Sequence, residues 1–260
     1  MLDRKIRRIS FNRVAALYNE VRPQYPEELI DQAISLSGIP PTGRILEVGC
    51  GTGQATWAFA RRGFSILCIE LGPQMAEIAK AKLRDYPKVE IQISSFEDWE
   101  LQEDAFDLVV GASCFHLLDP EIAYTKAARA LKSTGALALL RNKQPRVDSP
   151  LFRELQQLYE RYVPEITQRH YWQRPVEQDS EALAMGRSGL FEEAVVRRVE
   201  WSREYDAHGY VKLLNTYSDH NCLPEEKKRD FFPAVAKLIE RHGGRLTKPY
   251  VATLYLAKKK

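Results

Sequence analysis

Three glycines two residues apart, Gly49, Gly51 and Gly53, stand directly behind the apolar run RILEV (44–48). Glycine loses more conformational freedom on folding than any other residue, so this spacing marks a turn where the backbone must be bare. A helix pattern follows at once, QATWAFARRG (54–63). A helix N-terminus presents unpaired N–H groups and a partial positive charge. A strand, a glycine turn and a helix start together make a ligand-binding turn. Two carboxylates flank it: Glu47, two places before the first glycine, and Glu70, at the end of the next apolar run. Glu70 has the place of an acid that accepts hydrogen bonds from ribose hydroxyls. At this distance from a glycine turn that reading outweighs an ordinary exposed acid at a strand end. His116 follows a fourth strand pattern, FDLVVGASCF (106–115), at the strand end where open α/β sheets bind ligands. An imidazole titrates near neutrality, so His116 is a candidate base. A structural histidine holding the loop or lining the pocket is the other reading. Nothing near Cys114 in sequence would lower its pKa, and packing is its expected role.

Two ligand classes use such a turn, dinucleotides and S-adenosylmethionine. The dinucleotide fingerprint G-x-G-x-x-G needs its third glycine one place later, where this chain has Gln54. An acid at Glu47 would also sit close to dinucleotide phosphates, whereas it suits an ammonium group.

The elements that must position these residues alternate from residue 26 to about 142. Helices are expected at PEELIDQAISLSG with Pro26 as first helical residue and Gly38 as stop, at QATWAFARRG, at PQMAEIAKAKLRD from Pro73, and at DPEIAYTKAARALKS. RILEV, FSILCIE, VEIQI, FDLVVGA and GALALLR read as strands rich in β-branched and aliphatic residues. Near-continuous apolar strands alternating with helices predict a parallel sheet covered on both faces. Beyond Asn142 an amphipathic helix is expected at SPLFRELQQLYERYV, an irregular stretch over 164–190, a strand at AVVRRVEWSREY, a helix bent at Pro233 and closed by Gly243 and Gly244, and a final strand at YVATLYLA.

Composition narrows the class. The 260 residues are 44% hydrophobic and 28% charged, ordinary for a globular protein. No apolar run approaches the ~18 residues of a membrane span, and the basic N-terminus has no apolar region behind it that would make a secretory signal. Cys50, Cys68, Cys114 and Cys222 have no CxxC spacing, so reduced thiols in a cytoplasmic protein are expected. The net charge of +3 is too small to argue for nucleic acid. His170, His208, His220 and His242 show no metal spacing, and no metal is expected.

The run E-V-G-C-G-T-G, with Glu70, SSFEDWEL and FDLVVGASCFHLLDP in order, resembles the motifs of class I S-adenosylmethionine-dependent methyltransferases, nearest to the type 11 small-molecule branch. LYNEVRPQYP ahead of the glycine turn is similar to a segment of that branch. The resemblance runs over most of the chain, strongest from about Phe11 to Arg141. It implies a Rossmann-like α/β fold, a seven-stranded mostly parallel sheet with helices on both faces and the last strand antiparallel. It implies one domain over 1–260: an N-terminal cap to about 40, a cofactor-binding core over about 41–142, and lid segments over about 143–190 and 203–222.

It also implies roles. Gly49, Cys50, Gly51 and Gly53 would pass close to the methionine part of the cofactor, with Glu47 near its amino group. Glu70 would hold the ribose. Leu71 and Met75 would pack on adenine, with Ser95 and the Phe96 N–H at its edge. Gly111 and Ala112 would floor the pocket. Tyr18, Arg22 and Tyr25 would cap it, Arg22 as a partner for the cofactor carboxylate. Two departures stand out: Ser95 takes the place of a frequent Asp, with Glu97 and Asp98 beside it, and Glu70 takes the place of the Asp of other class I enzymes. GASCF replaces any N-P-P-Y or D-P-P-Y, which tells against amide or adenine nitrogen methylation. The acceptor is expected to be a small molecule, neither nucleic acid nor membrane; its identity and the oligomeric state are not legible in the sequence. Tyr171, Trp172, Trp201 and Tyr205 read equally as an apolar lid and as core. A nicotinamide-dependent oxidoreductase and a silent S-adenosylmethionine-binding protein are the rival readings.

Overall fold

The run RILEV forms β1 (Arg44–Val48), with every residue after Arg44 buried. It lies between β2 (Ser65–Glu70) and β4 (Phe106–Ala112), parallel to both, with Ile45 opposite Ile66 on one side and Leu108 on the other. β3 (Val89–Ile93) extends the sheet beyond β2, and β5 (Leu131–Lys143) beyond β4. With β6 (Val195–Asp206) and β7 (Arg245–Lys258) the order is β3-β2-β1-β4-β5-β7-β6. The N–H of Lys259 donates to Gly135 O at the start of β5, and Phe191, just before β6, pairs antiparallel with Lys259. β7 therefore runs against its neighbours in an otherwise parallel sheet, as the family resemblance implies. The strand order reverses between β1 and β4, and a crevice at the carboxyl ends of these two strands is where such sheets bind ligands.

The computed structural model describes residues 4–167 and 179–260. Chain contacts divide it into two compact units. The first comprises Gln24–Asn142, Asp179–Val199 and Ala252–Lys260. It carries the sheet with α3 (Glu27–Ser37), α4 (Gln54–Ala60), α5 (Pro73–Leu83), α6 (Pro120–Ala130) and α9 (Ser180–Arg187). Leu46, Val109, Leu137 and Tyr255 from the sheet pack with Phe106, Trp99 and Ala127 in its core. Each such aliphatic or aromatic side chain contributes roughly 1.5–3 kcal/mol on burial. Helix ends follow the sequence closely. Gly38 closes α3 in the left-handed region, and Pro73 opens α5. The side chain of Asp119 caps α6 by accepting from the N–H of Glu121. Pro26 is the cap of α3, and the helix itself begins at Glu27.

The second unit comprises Met1–Pro23, Lys143–Gln178 and Glu200–Val251. It holds α1 (Arg4–Arg13), α2 (Ala15–Val21), α7 (Pro150–Tyr162), α8 (Pro164–Thr167), α10 (Ala207–Asn215), α11 (Ser218–Asn221) and α12 (Glu225–Arg241). Its core joins Tyr159, Tyr210, Leu213, Phe231 and Val235. A buried polar chain runs through it. Tyr159 Oη lies 2.7 Å from His220 Nε2, and His220 Nδ1 lies 2.8 Å from Asp219 Oδ1. The ring thus bridges a phenol and a carboxylate, which satisfies both buried groups. α12 continues through Pro233. A mid-helix proline costs about 3 kcal/mol, and the buried Phe231, Val235, Leu238 and Ile239 hold both halves in place. The stretch 164–190 is less irregular than its sequence suggests, since α8 and α9 lie at its ends. Tyr171, Trp172 and His170 fall outside the described residues. Among the described residues, no helix is long and apolar enough to cross a membrane.

Candidate cofactor turn and acceptor end

The three glycines behave as their spacing predicts. Their φ values are +65° at Gly49, +59° at Gly51 and +81° at Gly53, in the region side chains rarely enter. A Cβ at Gly49 would also stand 2.9 Å from Cys114 Cβ, so the ends of β1 and β4 approach closely there. Gly49 extends the β1–β2 ladder by donating its N–H to Ile69 O at 2.7 Å. Gln54 is the first residue of α4, with its Nε2 donating to Thr52 Oγ1 at 2.7 Å. Cys50 is buried, and its contact with Cys68, together with burial, pushes its thiol well above the ordinary value. It packs as a neutral group.

Glu70 reaches back over this turn. Its Oε2 accepts the N–H of Gly51 at 2.8 Å, and its Oε1 accepts the N–H of Gly72 at 2.8 Å. Each carboxylate oxygen has two lone pairs, so one oxygen can accept more than one hydrogen bond. Glu47 points into the protein beside Thr56 and Cys68. Its Oε1 is buried and has no hydrogen-bond partner among the described residues. Burial pushes its pKa up to about 7, against the opposing bond from Thr56, while the charge of Glu70 adds to the rise. A cationic donor would satisfy this oxygen and hold the acid ionised.

The loop after β3 places Ser95 Oγ 2.6 Å from Asp98 Oδ2, so the serine hydroxyl and the neighbouring carboxylate act together. Phe96 is buried and stacked on Trp99, with ring centroids 6.1 Å apart. Lys126 Nζ donates to Glu97 O at 2.9 Å and ties the loop to α6. Met75 is buried on α5, and Leu71 is half-buried just after β2.

At the end of β4, the space a side chain would need at Gly111 is filled by Phe115 and Leu139, so core packing requires that glycine. Ala112 is half-buried beside it. Ser113 follows with φ +58°, a conformation that costs a non-glycine residue about 1–3 kcal/mol. Its Oγ lies 2.7 Å from Tyr25 Oη, so the tyrosine is held against the strand end. Nothing in the sequence marked Ser113, because the partners are 88 residues apart. Cys114 turns inward, its Sγ 2.7 Å from Val48 O. His116 is exposed on the short 3-10 turn Phe115–Leu117, with Nδ1 against Arg141 Nη1. Arg141 also pairs with the buried Glu181 at 3.2 Å. A guanidinium only donates, so the neutral ring of His116 accepts through Nδ1 and keeps its proton on Nε2.

Tyr18 and Arg22 lie in the second unit. There Arg22 Nε donates to Thr216 Oγ1 at 2.8 Å and Nη2 to Thr216 O at 2.7 Å. Its guanidinium lies over the rings of Tyr18 and Tyr217, at 4.8 and 4.4 Å. Trp201 stacks on Tyr250 at 4.7 Å, and Tyr205 is buried with its hydroxyl 3.0 Å from that of Tyr250. Among the described residues, no three His, Cys, Asp or Glu side chains are grouped to hold a metal.

Residues 46–139 match the family model Methyltransf_11, described as a methyltransferase domain. An uncharacterized methyltransferase of Mycobacterium tuberculosis is 30% identical over 134 residues, 52% of each chain, so this chain spans about half the length of that relative. A methyltransferase-like protein of Schizosaccharomyces pombe is 28% identical over 256 residues, covering 89% of this chain and 88% of its own. Among solved structures, phosphoethanolamine N-methyltransferase 2 of Haemonchus contortus, in complex with phosphomonomethylethanolamine and S-adenosylhomocysteine, has a TM-score of 0.56. It is 16% identical and matched over 95% of this chain and 57% of its own, a likeness of fold.

Proposed function

We propose, for a chain whose residues 46–139 belong to the type 11 branch of class I S-adenosylmethionine-dependent methyltransferases, that it binds S-adenosylmethionine and transfers the methyl group in line to a small-molecule acceptor. The observation that carries this reading is the Glu70 carboxylate, fastened over a turn of three left-handed glycines by the N–H groups of Gly51 and Gly72. A carboxylate at the end of β2 beside such a turn is placed to accept hydrogen bonds from the hydroxyls of a ribose.

When bound, the cofactor supplies an electrophilic methyl carried on a sulfonium. The chain's task is to bind and orient. Gly49, Gly51 and Gly53 leave the backbone open to the methionine part. Glu47 has a buried oxygen short of a donor, which an ammonium would satisfy. Ser95, coupled to Asp98, offers an acceptor for an exocyclic amine in place of the usual Asp. Leu71 and Met75 supply the apolar wall for adenine, with the Phe96 N–H at its edge. Ala112 and the Tyr25–Ser113 pair define the acceptor end of β4. Proximity and orientation alone supply roughly 7–11 kcal/mol in such a transfer, so no strong base is required. His116 acts by position, with Nδ1 committed to Arg141. A dinucleotide is disfavoured by Gln54, whose side chain fills the third-glycine position and is tied to Thr52.

Calorimetric titration with S-adenosylmethionine, S-adenosylhomocysteine and NADH, in the wild type and in Glu70→Ala, tests this. Binding of both adenosyl ligands, lost in the variant and absent for NADH, is expected. Binding of NADH alone would overturn the reading.

A further inference from the structure

Helix α1 carries a surface that methyl transfer does not use. Its ten residues, RKIRRISFNR, hold five cations, Arg4, Lys5, Arg7, Arg8 and Arg13, and no Asp or Glu. Like charges three and four residues apart, as in Arg4, Arg7 and Arg8, work against a helix. Ile6 and Ile9, one helical turn apart, are 51% and 47% exposed, and Arg13 is exposed at the spacing that places it on the same face. Single exposed isoleucines are ordinary. Of the five large apolar side chains exposed among the described residues, these two share one turn, with cations on either side of them in the chain. A different face fastens the helix to its own unit. Arg7 Nε donates to Ser218 Oγ at 2.9 Å, and Asn221 Nδ2 donates to Ser10 O at 2.8 Å. Ser10 is buried, so α11 covers the side of Arg7 and Ser10 and leaves Ile6 and Ile9 outside. Folding gains little from this arrangement, because half-exposed isoleucines bury little area and the cations repel.

We propose that the Ile6–Ile9 face of α1 docks the protein on an anionic phospholipid surface. The isoleucines would enter the boundary between headgroups and acyl chains, and the long cationic side chains would reach the lipid phosphates. Charge complementarity selects the partner. A helix with five cations and no acid fits an anionic surface. The isoleucine pair then favours lipid over nucleic acid, which offers phosphates but no apolar phase for Ile6 and Ile9. A second copy of the chain would set the same cations against each other. The attachment is peripheral: ten residues of helix reach about 15 Å, half of the ~30 Å hydrocarbon core. Each cation near an anionic membrane adds about fivefold in affinity, and an inserted half-exposed isoleucine adds a comparable factor. With more cations than isoleucines, charge supplies the larger share, so salt must weaken the attachment.

The test is sedimentation of the full chain with vesicles of phosphatidylcholine alone and of equal parts phosphatidylcholine and phosphatidylglycerol. Binding to the anionic vesicles and not to the neutral ones is expected. It should be lost at about 1 M salt, where the Debye length falls to about 3 Å. The double variant Ile6→Ser, Ile9→Ser keeps every charge and should weaken vesicle binding about tenfold or more. Arg13→Gln should weaken it about fivefold and leaves the isoleucines in place. Both variants change exposed side chains and should keep the wild-type thermal unfolding midpoint, so a loss of binding is not a loss of fold. Equal binding to both vesicles, no binding at millimolar lipid, or anionic binding that the isoleucine change leaves untouched would overturn the proposal. Tighter binding to duplex DNA than to the vesicles, with the isoleucine change affecting neither, would assign the cations to nucleic acid and overturn it. Self-association without vesicle binding, lost in the isoleucine variant and read by light scattering, would assign the face to a second copy and overturn it as well. Vesicle binding is read without the cofactor, so failure here leaves the methyltransferase reading to its own titration.

Discussion

Glu70 Oε2 accepts the N–H of Gly51 at 2.8 Å, so the acid at the end of β2 and the middle glycine of the turn after β1 are one structural unit. The carboxylate orders the turn before any ligand arrives, and the turn fixes where the carboxylate points. Preorganisation of this kind lowers the ordering cost of binding.

That coupling predicts two losses from Glu70→Ala. Affinity for S-adenosylhomocysteine should fall about ten- to hundredfold, since hydrogen bonds to a charged group contribute ~1.5–3 kcal/mol. Stability should fall as well, because the N–H groups of Gly51 and Gly72 lose their acceptor. Glu70→Gln keeps one acceptor oxygen and should lie between. Calorimetry and urea denaturation of the three proteins check the order.

Gly49→Ala should destabilise by about 1–3 kcal/mol from its left-handed backbone alone. Contact with Cys114, 2.9 Å from the added Cβ, adds to this. Cys114→Gly in the same chain removes the contact and leaves the backbone term, so it should recover part of the loss and not all. A double-mutant cycle on urea midpoints separates the two contributions.

Glu47 makes stability depend on pH. Its pKa rises on folding from 4.5 to about 7. In that interval the folded chain keeps a proton that the unfolded chain has released. The stabilisation is therefore complete below pH 4.5 and lost as pH rises to about 7, by about 3 kcal/mol in all. Urea midpoints at about pH 5 and about pH 7.5 should differ in the wild type and draw together in Glu47→Gln, which cannot ionise. A cofactor that places an ammonium on Glu47 should shrink the wild-type difference.

His116 holds Nδ1 against Arg141. His116→Gln keeps an acceptor for that guanidinium, so kcat should stay within about threefold and its pH profile should not move. Removal of a true general base would cost about 10²–10⁴ and erase the acidic limb of the profile. Rate measurements against pH, once an acceptor is in hand, decide between these outcomes.

Much of this molecule was legible before its structure. The strands up to β5 were visible because their apolar residues are contiguous, the mark of a sheet buried on both faces. Gly49, Gly51, Gly53 and Glu70 were visible because a turn and the strand ends beside it are local features with a fixed spacing. The short helices were not. α10 contains Gly209 and rests its apolar face on α12, so tertiary packing makes the helix where propensity does not. α1 and α2 carried no strong cap or period either.

The partnerships are a different matter. Tyr25 with Ser113, Arg22 with Thr216 and Lys248 with Gln144 lie 88, 194 and 104 residues apart. By itself the sequence determined the sheet, the glycine turn and the acids beside it, because backbone freedom, burial pattern and strand ends are properties of neighbours along the chain. Only the tertiary structure decided that Gly111 is bare for Phe115 and that Glu47 Oε1 has no hydrogen-bond partner among the described residues. Those facts depend on which side chains crossovers and packing bring together, and a linear chain does not record that.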